Sequence, residues 1–263
     1  DGGISATGSH NRVSYAASTS AVTVDLTKTD GTGTSGGFAQ GDTLINIQDL
    51  TGSQYDDTFV ASSDANNFDG GASVTGSHNR VSYAASTAAV TIDLTKTDGT
   101  GTSGGFAQGD KFINIQDVTG SQYDDTFVAS SDANNIDGGA SVTGSHNRVS
   151  YAASTAAVTV DLTKTDGTGT SGGFAQGDTL VNIQDLTGSQ YDDTFVASSD
   201  ANNFDGGSGS VHNRVSYAAS ATAVTVDLTK TDGTGTSGGF AQGDKLVNIQ
   251  DLTGSSGDDT FIA

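Results

Sequence analysis

The run GSQYDDTFVASSDANNFDGG, residues 52–71, places four aspartates, two asparagines and three glycines within twenty positions. Oxygen-bearing side chains at this density suit hard divalent cations, which take carboxylate and carbonyl oxygens as ligands. Glycine helps, because a backbone that tolerates positive φ can present its carbonyls in a tight turn. Only Phe59 and Phe68, nine residues apart, are large apolar residues expected to be buried. Across the chain all 31 acidic residues are Asp, and the net charge is −21. That balance argues against nucleic acid or an anionic membrane as partner and favours cations.

Other chemistry finds less support. His10, His78, His146 and His212 occur once per copy of a long repeat, in SHNRVSY or VHNRVSY. Without a second His or any Cys nearby, a tetrahedral nitrogen-and-sulfur site is missing, and surface histidines are expected. Arg12, Arg80, Arg148 and Arg214 are the only arginines, read either as counter-ions for neighbouring aspartates or as solvated surface. Asp56 and Asp57 are adjacent and, along a strand, point to opposite faces. No Ser-His-Asp arrangement stands out, so an enzyme is not expected. Thr27 with Thr29, and Thr32 with Thr34, are reminiscent of ice-binding solenoids, but each pair recurs only once per copy and is interrupted by Asp and Gly.

The elements that position these residues follow from the repeat. DGG begins at Asp1, Asp69, Asp137 and Asp205, a period of 68 residues, giving copies 1–68, 69–136, 137–204 and a shortened 205–263. The first residue continues a repeat, so the chain reads as a piece of a longer one. Glu, Pro, Cys, Met and Trp are absent while Gly, Ser, Thr, Asn and Asp abound, which disfavours helices. No apolar run is long enough to cross a membrane, and no signal peptide is visible. Differences between copies act as a mutation series. Val24 becomes Ile92, Leu44 becomes Phe112, Leu50 becomes Val118 and Phe68 becomes Ile136, the exchanges of inward-facing positions. Thr43 becomes Lys111, Thr179 and Lys245 and therefore faces water, next to an apolar neighbour; that is the alternation of a strand. TKTDGTGTSGGFAQGD, residues 27–42, reads as a solvated loop with Phe38 as its anchor, the alternative being a binding element in which the loop around Thr27–Gln40 grips a glycan or another cell.

Divided at its aromatics, the opening run reads GSQYDDTFV, ASSDANNFD and then GGASVTGSHNRVS with a four-residue insertion; copy four writes GSSGDDTFI and GGSGSVHNRVS. These units resemble the calcium-binding nonapeptide GGxGxDxUx (U a large apolar residue) of the repeats-in-toxin family. The flanking pattern VSYA, AVTVDL, GDTL and DDTF is similar to sequence around those nonapeptides in large secreted bacterial proteins. The resemblance implies an all-β chain, a right-handed parallel β-solenoid (β-roll or β-helix) of tandem repeats. It also implies Ca2+ ligation by Asp57, Asp125, Asp193 and Asp259. Partner turns would supply Gly70, Gly71, Gly138, Gly139, Gly206 and Gly207. Asn66, Asn134 and Asn202 stand where the family has Asp, and so does Asn79, which lowers the expected charge of each site. Asp42, Asp110, Asp178 and Asp244 are second-rank ligand candidates. Asp69, Asp137 and Asp205 are either ligands or turn formers. Asp25 is placed on a wet strand face, Asp30 in a DG turn, and Asp49 in solvent.

Stacked coils lie ~4.8 Å apart, inside the screening length of ~8 Å, so aligned carboxylates repel unless neutralised. The sequence-based expectation is therefore a calcium-stabilised extracellular or cell-surface structural protein, associating end to end as a rod, stalk, surface layer or matrix fibre. The alternatives are a calcium-dependent adhesin region that binds a cell-surface glycan, and a segment of a larger secreted toxin or enzyme. The family resemblance implies one-step export of the kind that reads a C-terminal signal.

Overall fold

The computed structural model describes residues 1–3, 8, 10–72, 76–140, 144–209 and 212–263; the insertion at 73–75 and its shortened form at 210–211 lie outside the described residues. The chain divides into two compact units, Asp1–Thr126 with Asn134–Thr143, and Phe127–Ala133 with Gly144–Ala263. Both are all-β, with repetitive mixed sheets built from strands of two or three residues. Among the described residues no helix is long and apolar enough to cross a membrane.

In the first unit, Arg12–Ser14, Asp49–Thr51, Asn67–Asp69 and Lys111–Ile113 form one parallel sheet. A second parallel stack runs Thr23–Asp25, Thr58–Val60, Arg80–Ser82, Asp117–Thr119 and Asn135–Asp137. Successive strands along the chain from Asp49 to Ser82 fall alternately into these two stacks. Asp49 and its partner Asn67 are 18 residues apart, which is two nonapeptides. In the second unit the same order recurs: Arg148–Ser150, Asp185–Thr187, Asn203–Asp205 and Lys245–Val247 in one stack, and Thr159–Asp161, Thr194–Val196, Arg214–Ser216 and Asp251–Thr253 in another.

Most of the three-residue strands send their middle residue inward; Phe261 in the last strand, Thr260–Ile262, is exposed. Val24, Leu50, Phe59, Phe68, Val81, Ile92, Phe112 and Val118 are all buried, and the positions that exchange between copies are among them. Phe59 stacks on Phe68 with ring centroids 5.7 Å apart, and Phe68 on Phe112 at 6.5 Å; Phe195 and Phe204 stack at 5.5 Å in the second unit. Burial of one such ring stabilises by ~1.5–3 kcal/mol. With at most one buried apolar residue per strand, polar groups must be satisfied between coils as well.

The segment 27–42 is more ordered than a solvated loop. Thr34–Ser35 folds back antiparallel on Thr23 and Val24, and a 3-10 turn follows at Gly37–Ala39. Its buried anchor is Ala39, whereas Phe38 is 58% exposed. In the other three copies Phe106, Phe174 and Phe240 are half-buried beside the buried Ala107, Ala175 and Ala241, so the aromatic packs partway and the alanine fully.

Candidate metal sites

Asp57 sits between the strand Asp49–Thr51 and the strand Thr58–Val60, at the turn where one coil passes the next. It is fully buried. Its Oδ1 accepts the amide of Val22 at 2.7 Å, from a neighbouring coil. Its Oδ2 accepts the amide of Ser53 at 2.6 Å, and the Ser53 hydroxyl donates to the carboxylate at 2.9 Å. Asp125 receives Val90 and Ser121 in the same way, Asp193 receives Val158 and Ser189, and Asp259 receives Val224 and Ser255. Both oxygens of each carboxylate are thus occupied by protein donors.

The electrostatics separate burial from hydrogen bonding. Burial pushes the Asp57, Asp125 and Asp193 carboxyls above their ordinary range, against the pull of the same amide and hydroxyl donors. Asp259 has equivalent donors but is reached by solvent, and the Ser255 hydroxyl and Val224 amide hold it below that range. Desolvation raises a carboxyl and donation to its charged form lowers it.

The asparagines have a matching logic. Asn66 occupies the same place relative to Ser62 as Asp57 does to Ser53, and its Oδ1 accepts the Ser62 amide at 3.1 Å. Where Asp57 meets the Val22 N–H, Asn66 meets the Gln48 carbonyl, and its Nδ2 donates there at 3.0 Å. Asn202 repeats this with Ser198 and Gln184, and Asn134 donates to the Gln116 carbonyl. Asn79 accepts the Asp57 amide at 2.9 Å and donates to the Asn114 carbonyl at 3.0 Å. Asp stands where two donors converge, and Asn where one donor and one carbonyl do.

Asp110 is also fully buried, with Oδ1 accepting the Asn66 amide at 2.7 Å and Oδ2 accepting the Tyr83 hydroxyl at 2.7 Å. Asp244 has Asn202 and Tyr217 in those roles. Tyr151 donates to Asp178, and Tyr15 to the more exposed Asp42. Burial pushes Asp110 and Asp244 up to about 7 although both donors oppose it. It also drives Tyr83 and Tyr151 well upward, with Asp110 and Asp178 adding to the effect, so the phenol keeps its proton and donates.

Asp69, Asp137 and Asp205 form turns, accepting the amides of Gly71, Gly139 and Gly207 at 2.9, 2.9 and 3.0 Å. Gly70 and Gly206 are glycines because coils touch there: a Cβ on Gly70 would lie 2.3 Å from the Asn114 carbonyl oxygen, and one on Gly206 equally close to that of Asn248.

These residues do not fit a calcium centre in this arrangement. Calcium needs six to eight oxygens turned toward one point. Here the oxygens of Asp57, Asn66, Asn79 and Asp110 each face N–H or O–H donors, and no group of three or more His, Cys, Asp or Glu converges among the described residues.

Two further residues stand differently from the sequence reading. Asp49, expected in solvent, is buried, with His10 Nδ1 at 2.7 Å, Arg12 Nη2 at 3.5 Å and Asn67 Nδ2 at 2.8 Å. His78 and Arg80 hold Asp117, and His146 and Arg148 hold Asp185, in the same way. The histidines are partly exposed but fixed, as hydrogen-bond partners of an acid 39 residues away. Asp30, by contrast, forms its expected turn with the Thr32 amide and hydroxyl. The role of Ser53 was open to detection: Ser53 and Asp57 recur together in every copy, including GSSGDD, while Tyr55 between them is replaced.

No family model and no curated protein matches the chain.

Proposed function

We propose that this chain is a structural repeat segment, a parallel β-solenoid of extracellular or cell-surface type, whose coils are locked by hydrogen bonds at the positions where the repeats-in-toxin resemblance implies calcium. One observation carries the reading. The same donor set surrounds Asp57, Asp125, Asp193 and Asp259, so each copy supplies the donors for its own carboxylate at this position. A fibre, stalk or matrix protein gains length from such copies without needing new chemistry in each. The similarity of the flanking sequence to secreted repeat proteins supports the extracellular setting.

The test is thermal unfolding followed by circular dichroism in excess EDTA and again in millimolar calcium. Equal midpoints and an unchanged β-signal are the expected result. A β-signal lost in EDTA and restored by calcium contradicts the reading, because ligand binding to the folded state must raise its stability.

A further inference from the structure

Tyr55 is an aromatic side chain that the fold does not use. It is 39% exposed, as are Tyr123 and Tyr191, while Phe59 four residues on is fully buried. Copy four replaces it with Gly257 and keeps the Asp259 turn. Beside Tyr55 lies a cleft of about 450 Å³, lined on one side by Thr19, Ser20 and Ala21 and on the other by Tyr55, Asp56 and Ser77. Its size falls within the range of small-ligand sites. In copy four the Gly257 turn rests on Ala223, the counterpart of Ala21, so closely that a Cβ would lie 2.7 Å from the Ala223 nitrogen.

The lining selects a ligand class. An aromatic ring offers a flat apolar face, three aliphatic hydroxyls offer donors and acceptors, and Asp56 offers a carboxylate oriented by the His78 amide at 3.0 Å on its Oδ1. A ring with one apolar C–H face and a rim of hydroxyls matches both. The carboxylate and the net charge of −21 repel anions. We propose that the Tyr55 cleft binds a neutral hexose unit of a glycan, the ring lying against Tyr55 and a hydroxyl donating to Asp56. Tyr123 and Tyr191 mark the corresponding positions in the next two copies. The site adjoins the Asp57 turn, where the Tyr55 amide donates to the Ser53 hydroxyl at 3.1 Å, and the segment 27–42, where a Cβ on Gly36 would lie 2.5 Å from the Ala21 carbonyl oxygen; a sugar bound there is a role the scaffold reading does not supply.

Saturation-transfer NMR of the whole 263-residue protein with cellohexaose, maltohexaose and, separately, hexagalacturonate tests this. Transfer to a neutral hexaose is expected. It should vanish when Tyr55, Tyr123 and Tyr191 are all changed to Gly, the residue copy four already carries, with the circular dichroism spectrum unchanged. Asp56→Asn, which keeps an acceptor for His78, combined with Asp124→Asn and Asp192→Asn, is the second variant and should weaken binding ~10-fold or more. Absence of transfer to both neutral hexaoses, preference for hexagalacturonate, or undiminished transfer in the folded triple-glycine variant each overturns the proposal.

Discussion

At the scale of single residues, the choice between Asp and Asn is set by what the neighbouring coil presents. Asp57 faces the amides of Val22 and Ser53, and Asn66 faces the Ser62 amide and the Gln48 carbonyl. Exchanging them should therefore cost stability in both directions. Asp57→Asn turns an NH2 toward an N–H, and Asn66→Asp turns a carboxylate toward a carbonyl. Each is expected to lose ~1–3 kcal/mol in urea unfolding, the cost of an unsatisfied buried polar group. If Asn66→Asp instead stabilised the protein in the presence of calcium, the hydrogen-bond account of that position would be wrong. Asp110→Asn differs, because the Tyr83 hydroxyl can rotate to accept as well as donate. Removal of a buried charge without loss of shape should raise the melting midpoint of that variant at mildly alkaline pH.

Elements this short are held by contact between coils. At Gly70 a Cβ would meet the Asn114 carbonyl oxygen and Asn79 Nδ2, each at 2.3 Å, so Gly70→Ala should cost ~1–3 kcal/mol or more. Gly41 has a positive φ, of 80°, which Gly70 does not, and faces open space; Gly41→Ala should cost only the local backbone strain, ~1–2 kcal/mol. A urea titration of both variants separates coil contact from turn conformation. Much of this layer was legible in the sequence: the exchanges Val24 to Ile92 and Phe68 to Ile136 marked core positions, and the spacing of two nonapeptides marked strand partners. The partners of the acids were not. Val22 is 35 residues from Asp57, and Tyr83 is 27 from Asp110, distances that only the strand register brings together. Carboxylates crowded in sequence look like a cation site until their donors are known, since backbone amides leave no trace in residue type. Asp49 was misplaced for the same reason: its partner His10 is 39 residues away. Phe38 is exposed while its counterparts Phe106, Phe174 and Phe240 are half-buried; in every copy the neighbouring alanine is the fully buried residue.

For the whole molecule, buried acids make stability depend on pH in an uncommon direction. Asp110 and Asp244 ionise near pH 7 when folded and near the ordinary carboxylate value when unfolded. Between those limits the folded state holds protons that the unfolded chain has released. Stability therefore falls as pH rises from about 4 to about 7, and is flat above, by on the order of 4 kcal/mol per site. The charge of −21 adds self-repulsion in the same direction. Melting midpoints should be higher at pH about 5 than at pH about 8, and Asp110→Asn should flatten the profile. A midpoint that rises toward alkaline pH is the opposite sign. The direct test of backbone amides in place of calcium is amide hydrogen exchange by NMR, recorded with excess EDTA and then with calcium, at the Val22, Ser53, Val90 and Ser121 amides that hold Asp57 and Asp125. Strong protection, equal in the two conditions, is the expected result. Amides that exchange freely in EDTA and become protected only with calcium would contradict it.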